Sequence, residues 1–293
     1  MSSLTINNVS LRHIGDTGNA LNNSLVTAVP SCFAPDVLDG QVAFVTGGAT
    51  GIGKEICRIL GSHGARIAMA SRKRDNLEAA VDELRAEGVD AMFGVCDVRD
   101  AHAVNVVIDQ VVADYGRLDI VVNDAAGNFP APMSKISPNG FKAVVDIDLL
   151  GTYNVTRCAF DAWLRDHGGS IINISAPFEQ RGVVYQSHVA AAKAGVDSLT
   201  RTCAVEWGPY GIRVNAIAPG SISATEGVRR FAEAVPSGQT RPSSPLGMHG
   251  HGSDIAYLAL FLCSPVARFI SGQVIAVDGA SSADLLKMQA GQI

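Results

Sequence analysis

No apolar run in this 293-residue chain reaches the roughly 18 to 20 residues that a membrane helix needs, so no membrane span is expected. There is no basic excess either. With 23 Lys and Arg against 28 Asp and Glu, the formal charge is −5, which argues against a nucleic-acid surface. Small anionic ligands remain possible, because a local basic cluster serves those. The six cysteines (Cys32, Cys57, Cys96, Cys158, Cys203 and Cys263) include no CxxC pair. Neither a metal site nor a disulfide framework is expected, and a reducing compartment is the simple reading. Residues 1–30 carry Ser and Asn but no apolar signal core, and residues 1–37 read as a loose arm. Few arginines stand there, so a mitochondrial presequence is weakly supported. The end, Gly291-Gln292-Ile293, lacks the Ser-Lys-Leu peroxisomal address, and a cytoplasmic setting is expected. Repeats are absent, as is any low-complexity linker after residue 40.

What is present is an ordinary globular composition, 47% hydrophobic and 17% charged, over a length that buries a sizeable core. Short apolar, β-branched runs at 42–46, 66–71, 91–96, 119–123, 170–174, 213–217 and 273–277 read as strands covered on both faces. Helical patterns at 52–63, 75–87, 101–115, 141–167 and 185–208 lie between them. This alternation predicts an α/β fold, one doubly wound Rossmann-like domain over 38–293 with a seven-stranded parallel sheet and helices on both faces. Residues 221–252, rich in Gly, Pro, Ser and His, break the rhythm and read as a flap with one short helix.

"VAFVTGGATGIGKEI" (42–56) places Gly47, Gly51 and Gly53, with Thr50 and Ile52 among them, between the first strand and the first helix. Glycines there let the backbone approach a pyrophosphate at a helix N-terminus. The second strand ends in "SRKRD". An acidic residue at that point would suit the ribose hydroxyls of NAD; Ser71 is instead followed by Arg72, Lys73 and Arg74. A guanidinium fork suits a 2′-phosphate, so NADPH is the expected cofactor, with Arg72 its contact. The other reading is a solvated charge run before a helix capped by Asp75. Asp97, beside Val98 after the third strand, either accepts from the adenine amine or caps the next helix. No metal is expected.

These residues resemble the short-chain dehydrogenase/reductase family. "TGGATGIG" is similar to its cofactor loop, and Asn123-Asp124-Ala125-Ala126-Gly127 to its Asn-Asn-Ala-Gly element, lengthened by one residue. "AVEWGPYGIRVNAIAPG" (204–220) resembles the segment entering the nicotinamide site, and 271–279 its last strand. The likeness covers about residues 38–280. It implies that Asn123, Ala125, Lys193, Pro219, Gly220 and Ile222 join the cofactor set. It also implies a homotetramer formed through the long helices at 141–167 and 185–208.

Two departures matter. The family's Tyr-x-x-x-Lys keeps Lys193 but has Val189, and its catalytic serine falls at Ala176. Ketone reduction would lose its general acid, a contribution of about 10²–10⁴ in rate. Tyr185, two helical turns before Lys193, and His188 are possible replacements, though a lone His there more often packs or caps. Hydride addition to a conjugated dienoyl thioester needs no such donor, because the proton goes to carbon while polar groups steady the thioester oxyanion. "AAGNF" (125–129), "DIDLLGTYNV" (146–155), "RDHGGSIINI" (165–174), "SHVAAAKAGVD" (187–197) and "GSISATEGVRR" (220–230) are similar to the family's peroxisomal type of 2,4-dienoyl-CoA reductase. That likeness implies a fatty acyl-CoA substrate and a proton-donating water held by Asp148 and Lys193. Asp148 is otherwise a structural helix acid, and Lys193 a surface lysine. Asn128 is a candidate contact for the thioester oxygen. Phe129 and Phe178 wall an acyl tunnel or belong to the core. Arg229 and Arg230 meet CoA phosphates or are solvated. Two competing readings are another short-chain reductase, such as one acting on 3-oxoacyl thioesters, and an inactive NADP-binding sensor or scaffold.

Overall fold

The computed structural model describes residues 31–178, 182–223, 225, 229–230, 233 and 244–283. Residues 1–30 of the expected arm and much of the expected flap lie outside them. The remainder of the chain, from Ala34, forms one compact unit.

Its sheet has seven parallel strands in the order β3-β2-β1-β4-β5-β6-β7. They are β1 (Val42–Thr46), β2 (Arg66–Ser71), β3 (Ala91–Val95), β4 (Ile120–Asn123), β5 (Gly169–Ile174), β6 (Ile212–Pro219) and β7 (Val274–Val277). The doubly wound fold expected from the sequence is what forms. Every residue of β1 is buried, because helices cover both faces and leave no solvated side to alternate toward. Period two still sorts the core. Phe44, Val121, Ile171 and Val214 share a cluster with Val104, Ile108, Val111, Val155 and Leu164.

The helices are α1 (Gly51–Gly61), α2 (Arg74–Ala86), α3 (Ala101–Tyr115), α4 (138–167), α5 (Ser187–Trp207) and α6 (Gly252–Cys263). Two capping expectations need correction. Helix α2 starts from Lys73 with no side-chain cap, and Asp75 stands inside its first turn, where its charge suits the helix dipole. Helix α3 is capped by Asp100, whose carboxylate accepts from the His102 and Ala103 amides, so Asp97 is not its cap. Helix α4 begins three residues earlier than its apolar pattern suggests. Ser137 caps it, accepting from the Gly140 amide, and Pro138 takes the first turn, where a missing N–H costs nothing.

Helix α4 runs on through two π turns, Asp146–Leu150 and Phe160–Leu164. Such turns insert one residue and re-aim side chains, often at functional sites; the first contains Asp148. Register aligns the strand ends: Thr46 pairs with Asn123, and Asn123 with Asn173. The C-terminal edge between β1 and β4, where strand order reverses, is where open α/β sheets place ligands.

Candidate active site

Two loops meet at that edge, the one after β1 and the one after β4. Gly47 and Gly51 have φ of 72° and 56°, which side-chain-bearing residues rarely adopt. A Cβ on Gly47 would meet the Ala125 nitrogen at 3.1 Å, and one on Gly53 would meet the Gly47 carbonyl oxygen at 2.6 Å. The loops thus touch backbone to backbone. Thr46 Oγ1 ties them, accepting from the Asp124 and Ala125 amides at 3.2 Å each. The first turn of α1 contains no acidic residue of its own, so its amides favour an anion in front of them, and the Asp124 carboxylate of the β4 loop lies beside Gly53 there.

A cleft of about 1470 Å³ opens from these loops. Of the residues expected to bind cofactor, Gly47, Thr50, Gly51, Ile52, Ser71, Arg72, Asp97, Val98, Ala125, Lys193, Pro219, Gly220 and Ile222 line it. Gly53 and Asn123 are not in its wall. Gly53 sits one layer back, packed on Gly47. Asn123 is buried in the sheet layer, donating to Thr156 Oγ1 at 2.9 Å and Asn173 Oδ1 at 2.8 Å. Asn173 donates in turn to Thr200 Oγ1 at 2.8 Å. This ladder pins α4 and α5 to the strand ends beneath the cleft.

Among the rim cations, Arg74 turns to Glu78 at 3.4 Å and to the Phe93 ring, while exposed Arg72 and Lys73 face the cleft. Asp97 is held by Arg99, with contacts of 2.6 and 3.0 Å. That guanidinium keeps its carboxyl below the usual carboxylate range.

Deeper in, Asp148 and Lys193 meet. Asp148 Oδ1 accepts from the Gly127 amide at 2.6 Å, Lys193 Nζ donates to the Ile174 carbonyl at 2.8 Å, and Nζ lies 3.6 Å from Asp148 Oδ2. The side chains are 8% and 1% exposed, so Lys193 is not a surface lysine. Oδ2 is buried and has no hydrogen-bond partner among the described residues, an arrangement that calls for a donor. Val189 and Ala176 also line the cleft and offer no proton. The adjacent Ser175 hydroxyl is committed to Asp197 Oδ1 at 2.5 Å.

The expected substrate residues divide. Asn128, Phe178 and Arg230 line the cleft. Arg230 donates to the Asn128 carbonyl at 2.9 Å, joining the flap segment to the β4 loop, and Asn128 Oδ1 is a second buried oxygen without a hydrogen-bond partner among the described residues. Phe129 is outside the lining; it packs on His188 with ring centroids 4.5 Å apart. Arg229 pairs with Glu233 at 2.6 Å. His188 is wholly buried, its Nε2 3.0 Å from the Phe129 carbonyl. Since a carbonyl only accepts, Nε2 carries the hydrogen, and burial lowers the ring's affinity for a second proton. Tyr185 precedes α5 in the wall with φ 68°, a strained conformation of the kind found at functional sites. Reading the sequence missed Asp124 and Gln186, both in the lining. For Asp124 the signal was available, as a charge standing where the resembled element has asparagine. Among the described residues, no three His, Cys, Asp or Glu side chains group as metal ligands, and no helix is long and apolar enough to cross a membrane.

Known proteins similar to this chain are reductases. Residues 47–281 match a family model described as enoyl-(acyl carrier protein) reductase. The chain is 47% identical to a Rattus norvegicus protein named peroxisomal 2,4-dienoyl-CoA reductase [(3E)-enoyl-CoA-producing], over 85% of this chain and 86% of that one. It is 41% identical to a Bacillus subtilis protein named probable 2,4-dienoyl-CoA reductase [(2E)-enoyl-CoA-producing], over 83% and 96%. A crystal structure of a variant actinorhodin polyketide ketoreductase with NADPH superposes with a TM-score of 0.79 at 28% identity, covering 83% of this chain and 97% of that one.

Proposed function

The chain belongs to the short-chain dehydrogenase/reductase family, and from that premise we propose that it is an NADPH-dependent 2,4-dienoyl-CoA reductase of unsaturated fatty-acid β-oxidation. The relatives' names support the reaction. The observation that carries the mechanism is the buried Asp148–Lys193 pair with its unsatisfied Oδ2, in a wall that has Val189 and Ala176 where a phenol and a hydroxyl would serve ketone reduction.

The loop fits a dinucleotide. A Cβ on Gly51 would meet nothing within 4 Å, leaving its backbone open to a phosphate, and Arg72 faces the adenosine end of the cleft. Bound there, NADPH supplies the hydride for the distal diene carbon. The electrons move through the conjugated system onto the thioester oxygen, giving a dienolate. Asn128 offers that oxygen a side-chain amide. Lys193 and Asp148 then hold a water between ammonium and carboxylate, and the proton passes to the α carbon. Protonation there leaves the double bond at carbon 3; protonation at carbon 4 would leave it at carbon 2. Phe178 walls the acyl chain, and Arg230 meets the CoA phosphates. Homotetramer formation through the outer faces of α4 and α5 belongs to the same reading, supported by exposed Leu150, Tyr153 and Val205. So does a cytoplasmic setting, on the six free thiols.

An absorbance assay tests the reaction. NADPH is expected to be consumed with hexadienoyl-CoA and not with acetoacetyl-CoA. The reverse preference would mean a 3-oxoacyl-thioester reductase, the reading that Tyr185 in the cleft wall favours. Silence on both, with tight cofactor binding, would mean a sensor or scaffold. Cofactor choice has its own test. Arg72→Ala is expected to raise the KM for NADPH by about 10- to 100-fold, as loss of a charge-assisted contact of about 1.5–3 kcal/mol does, with little change for NADH. Equal effects on the two cofactors would remove the phosphate role.

A further inference from the structure

Asp124 lines the cleft between the phosphate loop and the Asp148–Lys193 pair. A Cβ built on Gly53 would meet its Oδ2 at 2.6 Å, so the carboxylate lies against the backbone of Gly53, whose amide favours its ionised form. Gly53 is the third residue of α1, so this N–H is one of those the helix leaves without an internal acceptor. The carboxylate thus lies on the positive end of α1, the place a pyrophosphate needs. It has little room to withdraw, because its own amide donates to Thr46 Oγ1 and its carbonyl packs against Gly47.

The local charges do not balance. Among the described residues, Lys193 on α5 favours the ionised form of Asp124 and Asp148 on α4 opposes it. The Cys57 thiol of α1 is held neutral by burial, with Asp124 adding to the effect. One ammonium is therefore shared between two carboxylates. Burial is the largest influence on Asp124 and pushes its carboxyl up to about 7.

We propose that Asp124 couples cofactor binding to the uptake of one proton, its carboxyl being neutral when a dinucleotide pyrophosphate lies on α1 and free to ionise when it does not. This rests on the cofactor reading under Proposed function. The proton comes from solvent and goes to a carboxylate oxygen; no bond in the cofactor changes. A neighbouring anion raises a carboxyl further, so affinity is full below the free protein's midpoint and falls as pH rises through it. The loss continues until pH passes the midpoint of the complex. With one linked proton and a free midpoint near 7, the Kd for NADPH is expected to rise about fivefold between pH 7 and 8.

Titration calorimetry with NADPH from pH 6.5 to 8.5, in buffers of differing ionisation enthalpy, reads this directly. The native protein is expected to take up close to one proton per NADPH at pH 8. Asp124→Asn, nearly isosteric, is expected to take up none and to show a flatter Kd. The cofactor's 2′-phosphate, titrating near pH 6, is common to both proteins and cancels in the comparison. Should the variant not fold, ¹³C carboxyl resonances of the native protein serve, with the Asp124 midpoint expected to move upward on adding NADP. A flat Kd in the native protein, an equal slope in the variant, or an unmoved midpoint would overturn the coupling alone. No binding of NADPH at any pH would overturn the cofactor reading along with it.

Discussion

Asp148→Asn is expected to lower kcat for a 2,4-dienoyl-CoA by about 10²–10⁴-fold, the usual worth of a positioned proton-transfer group, while the Kd for NADPH stays near its native value. The choice of asparagine matters. Asp148 makes two separable contributions: Oδ1 accepts from the Gly127 amide at 2.6 Å, and Oδ2 lies 3.6 Å from Lys193 with no hydrogen-bond partner among the described residues. An asparagine oxygen can keep the first. Its amino group then points at an ammonium, donor against donor, and the carboxylate that would orient a water is gone. A merely structural acid, present to tie the β4 loop to the π turn, would be well replaced by asparagine and badly replaced by alanine. The proton-relay role predicts that Asp148→Asn and Asp148→Ala are about equally slow. Near-native turnover by the asparagine variant would reduce Asp148 to a loop anchor. Product analysis adds a second reading: residual activity that loses control of protonation would yield a mixture of 2-enoyl and 3-enoyl products.

The central strands β1, β4 and β5 were legible because they are apolar runs, rich in Val and Ile and buried almost throughout, and composition alone marks such runs. Their ends were less so. Gly169 and Ile212 begin β5 and β6 one residue before the expected starts, since the backbone pairs Gly169 with Ile212 whatever the side chains are. The phosphate loop was legible because glycine is favoured at Gly47, where φ is 72° and a Cβ would crowd the Ala125 nitrogen at 3.1 Å. The π turn around Asp148 was not, since one inserted residue barely disturbs apolar spacing while redirecting the side chains it carries. Asn123 and Asp124 show what register decides. Successive residues of an extended chain point to opposite sides; Asn123 turns into the Asn173–Thr200 ladder, and Asp124 faces the cleft. The position of Phe129 depended on His188, 59 residues away, a contact that no local pattern carries. The expected role of Arg229 meets a closer partner in Glu233, one helical turn on.

Lys193→Met is expected to reduce stability by about 3–5 kcal/mol, the cost of stranding a buried charge when its partner is removed, which is a fall in Tm of roughly 10 °C in a domain of this size. Methionine keeps most of the apolar stem, so packing in α5 changes little and the loss is chiefly electrostatic. Two acceptors lose their cation together: the Ile174 carbonyl at 2.8 Å and Asp148 Oδ2 at 3.6 Å. A water in the cleft can hydrogen-bond Asp148 Oδ2, but it brings no positive charge to offset the nearly buried carboxylate. The double variant Lys193→Met with Asp148→Asn separates these effects, because it removes both charges and leaves a neutral amide in place. Urea unfolding of the four proteins closes the cycle. The double variant is expected to be more stable than the two single losses added together by about 0.5–3 kcal/mol, the range for residues in contact. Strict additivity would mean that the charges do not interact, and the water-holding role would lose its basis. Apolar replacement of a buried ion pair is often neutral or stabilising, so on the proposed reading the pair stands here for the proton donor it would hold and not for stability.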